Sequence, residues 1–340
     1  MNTTFLDACL GKPTTHTPVW YMRQAGRYLP QYRKLKGSRN ILDVIQTPDL
    51  AVQIAMQPVD ILGVDAAIVY ADIMTPLLGI GVDLEIVDQV GPVIKHPLVT
   101  IEDVKNLREL EPSEDISYLL KAIIILRNEL KSKVPLIGFS AAPFTLASYL
   151  IEGKPSRDFI KTKSFMYSNT NAWKLLMEKL TSLIIVYLKA QIAAGIQAIQ
   201  IFDSWIGFLS DEDYREFVLP YSQQIFAELT KENLPLIHFG TNTAGMLSSF
   251  ASVSCTVVGV DWRIPLDRAW QQIGLDKAIQ GNLDPAILLS DFSCIKKHVD
   301  QIFTSLPKHE GYIFNLGHGV LQATPVEHIL KLTEYIHSKR

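Results

Sequence analysis

The sequence predicts an α/β protein, a single (β/α)8 TIM barrel formed by one domain of residues 1–340. Three observations predict this fold: eight strand-like apolar runs recur down the chain, helix-period segments separate them, and no linker or composition break divides the chain. Alternating strands and helices indicate a parallel sheet, and eight such units favour closure into a barrel over an open, doubly wound sheet.

The candidate strands are short apolar runs distributed over the whole chain. They are Val19–Tyr21, Ala66–Tyr70, Pro135–Phe139, Gln197–Phe202, Leu236–His238, Thr256–Val260, Lys277–Gln280 and Tyr312–Asn315. The run Lys277–Gln280 is ambiguous, because a short apolar run fits a strand or a helix. Helix starts are expected at Thr47-Pro48-Asp49, with proline in the first turn, and at Thr324, where Glu327 would complete a capping box.

Composition and charge limit the classes of partner. Apolar residues make up 48% and charged residues 20% of the chain, which is typical of a globular protein with a sizeable core. The net charge of -3 gives no general attraction for nucleic acid or for an anionic membrane, so neither is expected as a partner. The apolar stretch 183–202 is interrupted by polar residues and does not qualify as a membrane span.

The cysteines and the first residues indicate a compartment. Cys9, Cys255 and Cys294 are widely spaced and odd in number, which suits a reducing cytoplasm and argues against disulfides and CxxC metal sites. The segment Met1–Asp7 has no cationic start followed by an apolar run, so no export signal is expected. The nucleotide-binding patterns G-x-G-x-x-G after a strand and G-x-x-x-x-G-K-[ST] are both absent.

A short loop after the first candidate strand carries two arginines. Arg23 and Arg27 flank Gly26, and Gly26 and Pro30 prevent the simple continuation of a helix. A guanidinium matches a carboxylate through two parallel hydrogen bonds, so two of them on one constrained loop can bind a polyanionic small molecule. The alternative is a solvated basic turn, since further basic residues follow.

Polar residues also follow the other candidate strands. In a parallel barrel the reactive groups lie at the carboxyl ends of the strands, so these residues are expected on one rim. The set is Arg23, Arg27, Asp72, Asp203, Ser204, His238, Asp261, Asn282 and His318. Any single member could instead be a helix cap or a loop residue, and the prediction depends on their convergence.

Asp72 and His318 are the most informative members of this set. Asp72 lies between a buried strand and an apolar loop, where desolvation would raise its pKa unless cations or N–H groups face it. His318 lies between Gly317 and Gly319, which would let backbone or ligand approach closely. A helix cap and a structural histidine are the respective alternatives.

The chain resembles the uroporphyrinogen decarboxylase family over essentially its whole length. The segment Trp20–Arg33 is similar to the family's specific amino-terminal signature, and further similarity follows in the expected order. It lies at Tyr70–Ile73, Ala142–Leu146, Tyr149–Gly153, Gln200–Ser204 and Asn315–Gly319. Lys36 and Ala71 depart from the pattern, and lysine at position 36 cannot form a bidentate pair with a carboxylate.

The resemblance implies a function and a set of site residues. It implies a cofactor-free decarboxylase of tetrapyrrole synthesis that converts uroporphyrinogen III to coproporphyrinogen III, has a (β/α)8 barrel fold and forms a homodimer. It implies Asp72 and Arg23 as catalytic residues. It implies a substrate site lined by Arg23, Gln24, Ala25, Gly26, Arg27, Asp72, Tyr149, Ser204 and His318.

Two other functions are compatible with a barrel of this kind. A corrinoid-dependent methyltransferase of the same broad superfamily would need sulfur or histidine zinc ligands at the strand ends. The segment 236–241 contains His238 without a neighbouring cysteine, which argues against such a site. A non-catalytic tetrapyrrole-binding protein would need the arginines but not a buried Asp72.

Overall fold

Helices and strands alternate along the chain in the computed structural model, which describes residues 2–87, 90–131 and 133–339. The predicted domain 1–340 also includes residues 1, 88, 89, 132 and 340, which lie outside the described part. The strands are β1 (Ala67–Ile68), β2 (Leu84–Val87), β3 (Gly91–Ile94), β4 (Leu136–Ala141), β5 (Ala198–Asp203), β6 (Leu236–Gly240), β7 (Val257–Gly259), β8 (Ala278–Leu283) and β9 (Tyr312–Leu316).

The helices occupy most of the chain between these strands. They are α1 (Thr4–Cys9), α2 (Pro30–Lys36), α3 (Ile41–Ile45), α4 (Pro48–Leu62), α5 (Thr75–Gly79), α6 (Ile101–Lys105), α7 (Pro112–Asp115), α8 (Ser117–Leu130), α9 (Pro143–Glu152), α10 (Ile160–Ser168), α11 (Thr170–Ala194), α12 (Asp211–Phe217), α13 (Leu219–Leu229), α14 (Leu247–Phe250), α15 (Leu266–Ile273), α16 (Phe292–Ser305) and α17 (Val326–His337). Short 3-10 turns lie at Ile206–Phe208, Thr230–Glu232 and Pro285–Leu289.

Seven of the strands form one curled parallel sheet. Its order is β1-β4-β5-β6-β7-β8-β9, so consecutive strands along the chain are neighbours in space except where the β2–β3 hairpin intervenes. The hairpin is a separate antiparallel pair. The prediction of a parallel sheet with helical connections is confirmed, and the fold is of the TIM-barrel type in this coarser sense.

The first candidate strand lies in the gap between the two edges of this sheet. Val19 pairs with Phe314 in a parallel bridge, and the Phe314 N–H donates to the Pro18 carbonyl at 2.9 Å. On the other side, the Asp65 N–H donates to the Val19 carbonyl at 2.8 Å. Residues 18–20 therefore connect β9 to the residues that precede β1.

The concave side of the sheet is filled by side chains. Trp20, Ile137, Phe239 and other inward residues form an apolar cluster, which α1 covers at one end with Phe5. A buried polar chain runs through the same space: Trp20 Nε1 donates to Gln280 Oε1 at 2.9 Å, and Gln280 Nε2 donates to Gln200 Oε1 at 3.0 Å. The sheet thus encloses a packed core, as expected for this type of fold.

Helices begin near both predicted starts, but the predicted side-chain caps are not formed. Helix α4 begins at Pro48 after Thr47, although the Thr47 side chain makes no capping hydrogen bond. Helix α17 begins at Val326 with Pro325 at its N-cap, so the predicted capping box of Thr324 and Glu327 is wrong. The apolar stretch 183–202 divides between α11 and β5. Among the described residues, no helix combines the length and apolar character that crossing a membrane would need.

Candidate active site

The arginine loop is fixed to the start of β1 through Gln24. The Gln24 side chain is buried, accepts a hydrogen bond from the Tyr21 N–H at 3.1 Å and donates to the Ala66 carbonyl at 3.0 Å. The Tyr28 hydroxyl donates to the Gln24 carbonyl at 2.7 Å. Because both ends of the amide bind backbone groups, Gln24 holds the loop in place from within the protein.

Asn315 holds the same loop from the other side. This residue of β9 is fully buried, and its Oδ1 accepts a hydrogen bond from the Met22 N–H at 3.1 Å. The Val320 N–H donates to the Met22 carbonyl at 2.9 Å. The residues immediately before Arg23 are therefore anchored to β9 and to the loop that follows it.

Arg23 lies across the glycine-flanked histidine segment. Its φ is +60°, in the left-handed region that side-chain-bearing residues rarely adopt. A Cβ at Gly319 would come within 2.4 Å of Arg23 Cδ, so only glycine leaves room for the arginine stem. Burial and the positive charge of Arg23 lower the pKa of His318 to about 4, which keeps this histidine neutral at pH 7.

Asp72 lies in a tight turn between β1 and α5. Its Oδ1 accepts a hydrogen bond from the Met74 N–H at 2.9 Å, and its own N–H donates to Thr75 Oγ1 at 3.3 Å. Desolvation raises the pKa of Asp72, against the opposing effects of the Met74 N–H and the Arg23 charge. Among the described residues, Asp72 Oδ2 has no hydrogen-bond partner.

The acid and the arginines lie at the same end of the sheet. The charge of Arg23 acts on the pKa of Asp72, of His318 and of Tyr149, so these side chains share one electrostatic environment. Burial, with the nearby Asp72 charge, raises the pKa of Tyr149 to about 12, so its hydroxyl stays protonated. The Tyr149 ring packs on Trp205 at a centroid distance of 5.9 Å.

Ser204 and Arg27 complete the predicted set at this end. Ser204 follows β5 directly and precedes Trp205, and its carbonyl accepts a hydrogen bond from Thr241 Oγ1 at 2.6 Å. Arg27 is close enough to Tyr70 for its charge to act on the pKa of that hydroxyl, which burial raises strongly. Both are partly exposed, as residues that meet a ligand must be.

Two predicted rim residues face the helix layer instead. Asp203 is fully buried and accepts a hydrogen bond from Thr145 Oγ1 of α9 at 3.1 Å. His238 is also fully buried and stacks on Phe250 of α14 at a centroid distance of 3.7 Å. Side chains alternate along a strand, and the neighbours Phe202 and Phe239 fill the inward side. Placing Asp203 and His238 on the rim was therefore wrong.

Asp261 and Asn282 are engaged in loop structure. Asp261 accepts hydrogen bonds from the Asn242 N–H at 2.6 Å and from the guanidinium of Arg263. Asn282 Nδ2 donates to the carbonyls of Asp261 at 2.9 Å and of Ile264 at 2.8 Å. Both residues lie at the expected end of the sheet, but the Asp261 carboxylate and the Asn282 amide nitrogen already have protein partners.

Sequence reasoning missed several residues that shape this site. The Tyr32 and Tyr70 hydroxyls lie 2.7 Å apart beside Arg27, and Asn315 anchors the arginine loop. A signal for Asn315 was present, since an amide inside an otherwise apolar strand needs hydrogen-bond partners. The departure at Lys36 lies away from this set, because Lys36 Nζ donates to the Arg39 carbonyl on the exposed surface.

Comparison with known proteins identifies the family. The family model described as uroporphyrinogen decarboxylase (URO-D) matches residues 1–339. A protein named uroporphyrinogen decarboxylase from Carboxydothermus hydrogenoformans is 50% identical over 99% of this chain and 96% of its own length. The protein of that name from Bacillus subtilis is 50% identical over 99% of this chain and 95% of its own length.

Solved structures give the fold. A methyltransferase from Methanosarcina mazei superposes with a TM-score of 0.80 at 19% identity, with 98% of each chain covered. A B12-independent methionine synthase from Shewanella sp. W3-18-1 gives a TM-score of 0.58 at 10% identity, with 87% of this chain and 89% of that one covered. At such identities the likeness extends to the fold alone. The relatives at about half identity decide against the methyltransferase alternative: this chain belongs to the uroporphyrinogen decarboxylase family.

Proposed function

We propose that this protein removes carbon dioxide from the four acetate side chains of uroporphyrinogen III, giving coproporphyrinogen III. The observation that carries the proposal is that Asp72 lies within electrostatic reach of Arg23 at the carboxyl ends of the strands. Full-length relatives of that name support the same substrate. A polyanionic ring with N–H groups inside and carboxylates outside is complementary to one carboxylate surrounded by guanidinium groups.

Asp72 is proposed to bind the pyrrole N–H groups. Its Oδ1 is oriented by the Met74 N–H, and Oδ2 is available to a ligand. Decarboxylation of a pyrrole acetate begins with a proton added to the ring carbon, which makes the ring cationic. The carbon–carbon bond to the carboxylate then breaks with release of carbon dioxide, and its electron pair neutralises the ring as an exocyclic double bond. A second proton added to the exocyclic carbon forms the methyl group, and loss of the first proton from the ring carbon restores the pyrrole, so one proton is consumed for each carbon dioxide released. A fixed carboxylate stabilises the cationic ring more than the neutral one, so it lowers the barrier.

The arginines are proposed to hold the carboxylates of the ring. Arg23 is oriented by its fixed loop and by Gly319, while Arg27 lies beside Tyr70. A guanidinium is too weak an acid to give up its own proton at neutral pH, so Arg23 is assigned to positioning the carboxylate and the proton donor. The substrate itself supplies the electron sink, and for this reason the proposed chemistry calls for no organic cofactor or metal.

The other predicted lining residues have supporting roles in this proposal. Tyr149, Ser204 and neutral His318 offer hydrogen-bonding groups without a competing charge. Ala25 and Gly26 are small and leave space at the arginine loop. Gln24 acts as a positioning residue, because its side-chain amide is occupied by backbone groups.

Anaerobic turnover tests the proposed function. The purified chain is incubated with uroporphyrinogen III, and the products are oxidised and separated by their number of carboxylates. Successive loss of carboxylates with release of carbon dioxide supports the proposal. Tight binding without product would instead favour a non-catalytic tetrapyrrole-binding protein, and methyl transfer to a thiol would favour the methyltransferase.

The architecture of the enzyme is proposed to be one complete (β/α)8 barrel domain. The hydrogen bonds on both sides of residues 18–20 support this, since they make that segment the eighth strand position. Cys9, Cys255 and Cys294 are free thiols, which supports a cytoplasmic location.

We also propose a homodimer. The resemblance to the family implies it, and exposed apolar side chains on and near α10 support it. Ile160 is 69% exposed and Phe208 is 38% exposed, and the ring of Phe159 packs on that of Phe208 at 4.7 Å. Such adjacent apolar surface is typical of a protein interface. Sedimentation of the wild-type chain and of Ile160→Glu distinguishes a dimer through this face from a monomer.

A further inference from the structure

Two histidines and one aspartate converge at the opposite end of the sheet. His16 Nε2 lies 2.9 Å from Asp65 Oδ1, and His337 Nε2 lies 2.8 Å from Asp65 Oδ2. The two imidazole rings meet edge to face, with centroids 4.5 Å apart. One ligand atom from each residue lies within 4.8 Å of the other two, and this is the only such group of three found among the described residues.

The three residues come from distant parts of the chain. His16 precedes the segment 18–20, Asp65 precedes β1, and His337 ends α17, the last helix. The first two residues therefore lie at the amino ends of the strands, away from Arg23, Asp72 and the rest of the candidate active site. None of the three has a role in the proposed reaction.

We propose that His16, Asp65 and His337 bind one divalent transition-metal ion of the zinc type. Two imidazoles and one carboxylate are ligands that zinc accepts, with a water molecule at the fourth position. Zinc binds nitrogen and oxygen at about 2.0–2.1 Å, which in a tetrahedron separates the ligand atoms by about 3.3 Å. The observed separations of 2.8 and 2.9 Å require an opening of about 0.5 Å to admit the ion.

The surroundings leave the ligand atoms available. Thr15 Oγ1 lies 3.1 Å from His16 Nδ1, so that ring is oriented through the nitrogen that the metal does not use. The Val19 N–H donates to Asp65 Oδ2 at 2.9 Å and Asn2 Nδ2 donates to Oδ1 at 3.5 Å, which orients the carboxylate while each oxygen keeps a lone pair for the ion. Partners of this kind orient metal ligands in known sites. The ion replaces the protons through which the histidines now bridge to Asp65.

The exposure of the ligands gives the ion a path. The side chain of Asp65 is 4% exposed, whereas His16 is 23% and His337 is 31% exposed. Solvent therefore reaches the histidine side of the cluster, where a water ligand would bind. The metal would connect the start of the chain to its last helix, and an ion that binds only the folded state stabilises that state.

Zinc binding to the full chain tests the site directly. Chelator-treated protein is dialysed against Zn²⁺, and bound metal is counted by mass spectrometry. We expect one zinc per chain, with the affinity weakened at least about 10- to 100-fold in His16→Gln and in His337→Gln. The matched control is His298→Gln in α16, where His298 Nδ1 lies 3.7 Å from Cys294 Sγ and offers a two-ligand alternative.

The outcomes separate this site from the others. Unchanged binding in His298→Gln and in His318→Gln supports the proposal. Zinc that is lost in His318→Gln but kept in His337→Gln would locate the metal in the active site and overturn it. Absence of zinc from the wild-type chain would overturn it equally.

Thermal unfolding supplies a second readout. Zn²⁺ should raise the Tm of the wild-type chain and of His298→Gln but leave the Tm of His337→Gln unchanged, while Mg²⁺, which prefers oxygen ligands, should shift none of them. Should His337→Gln fold poorly, Co²⁺ bound to the wild-type chain reports the ligands through its absorption spectrum. A spectrum of octahedral, fully hydrated cobalt would contradict the site.

Discussion

Replacing Gly319 with alanine tests whether Arg23 must lie where the structure has it. The added Cβ would approach Arg23 Cδ to 2.4 Å and Arg23 Cγ to 2.7 Å. Because carbon atoms pack no closer than about 3.5 Å, the arginine stem has to move by about 1 Å. The φ of Gly319 is outside the left-handed region, so an alanine can adopt the same backbone conformation without strain, and the conflict is with the Arg23 stem.

The expected loss follows from this displacement. A shift of about 1 Å in a group that positions a substrate costs about 100-fold in rate, or about 2.7 kcal/mol of activation free energy. The assay is the initial rate of carboxylate loss from uroporphyrinogen III under anaerobic conditions, as kcat/KM. Gly245→Ala is the matched control, because no atom lies within 4 Å of its added Cβ. The Tm of both variants should remain close to that of the wild-type chain.

A double variant isolates the mechanism. If Gly319→Ala acts by displacing the Arg23 side chain, adding it to an Arg23→Ala variant should lower kcat/KM little further. A Gly319→Ala variant with wild-type kcat/KM would show that turnover does not depend on this position of the Arg23 side chain. Equal losses in the presence and absence of the Arg23 side chain would refute displacement of Arg23 as the cause.

Three further predictions concern charge. Asp72→Asn should fold normally, because an amide oxygen still accepts from the Met74 N–H, and should lose kcat by orders of magnitude. Arg27→Lys should mainly raise KM, because lysine cannot form a bidentate pair. Burial raises the pKa of Asp203 to about 7, so the folded state holds a proton that the unfolded state loses above its ordinary value of 3.8. Stability therefore falls as pH rises from about 4 to about 7, and Asp203→Asn should remove a penalty on the order of 4 kcal/mol at neutral pH.

Each of these has a contrary outcome. Near-native kcat in Asp72→Asn would remove the charge-stabilising role, and an unchanged KM in Arg27→Lys would show that bidentate pairing is unimportant there. For Asp203→Asn, chemical denaturation is measured across that pH range together with activity. If the unfolding free energies of the wild-type chain and of Asp203→Asn change with pH in the same way, Asp203 is not buried and protonated.

The sequence allowed most of the strand positions to be predicted, and the site residues were proposed from the same local patterns. The apolar runs mark the strands, and the residues after them mark the functional end of the sheet. The direction of each side chain was harder. Asp203 ends β5 and His238 lies in the middle of β6, and the alternation along these strands turns both side chains towards the helices.

Contacts between distant residues were beyond the reach of sequence reasoning. Two such contacts depend on how the first and last strand segments meet. They are the close approach of the Arg23 side chain to Gly319 and the hydrogen bond from the Met22 N–H to Asn315. A glycine next to a histidine indicates close approach, but it does not say which group approaches. Likewise, the side chain of Gln24 looks available in the sequence and is occupied in the structure.

The left-handed backbone of Arg23 implies a trade-off between stability and activity. Glycine adopts this conformation freely, whereas a residue with a Cβ loses about 1 kcal/mol or more there. Arg23→Gly should therefore resist heat better than Arg23→Ala, although both lack the guanidinium. The chain retains a strained residue in a loop anchored by Gln24 and Asn315, which is the pattern found where selection has favoured turnover over robustness.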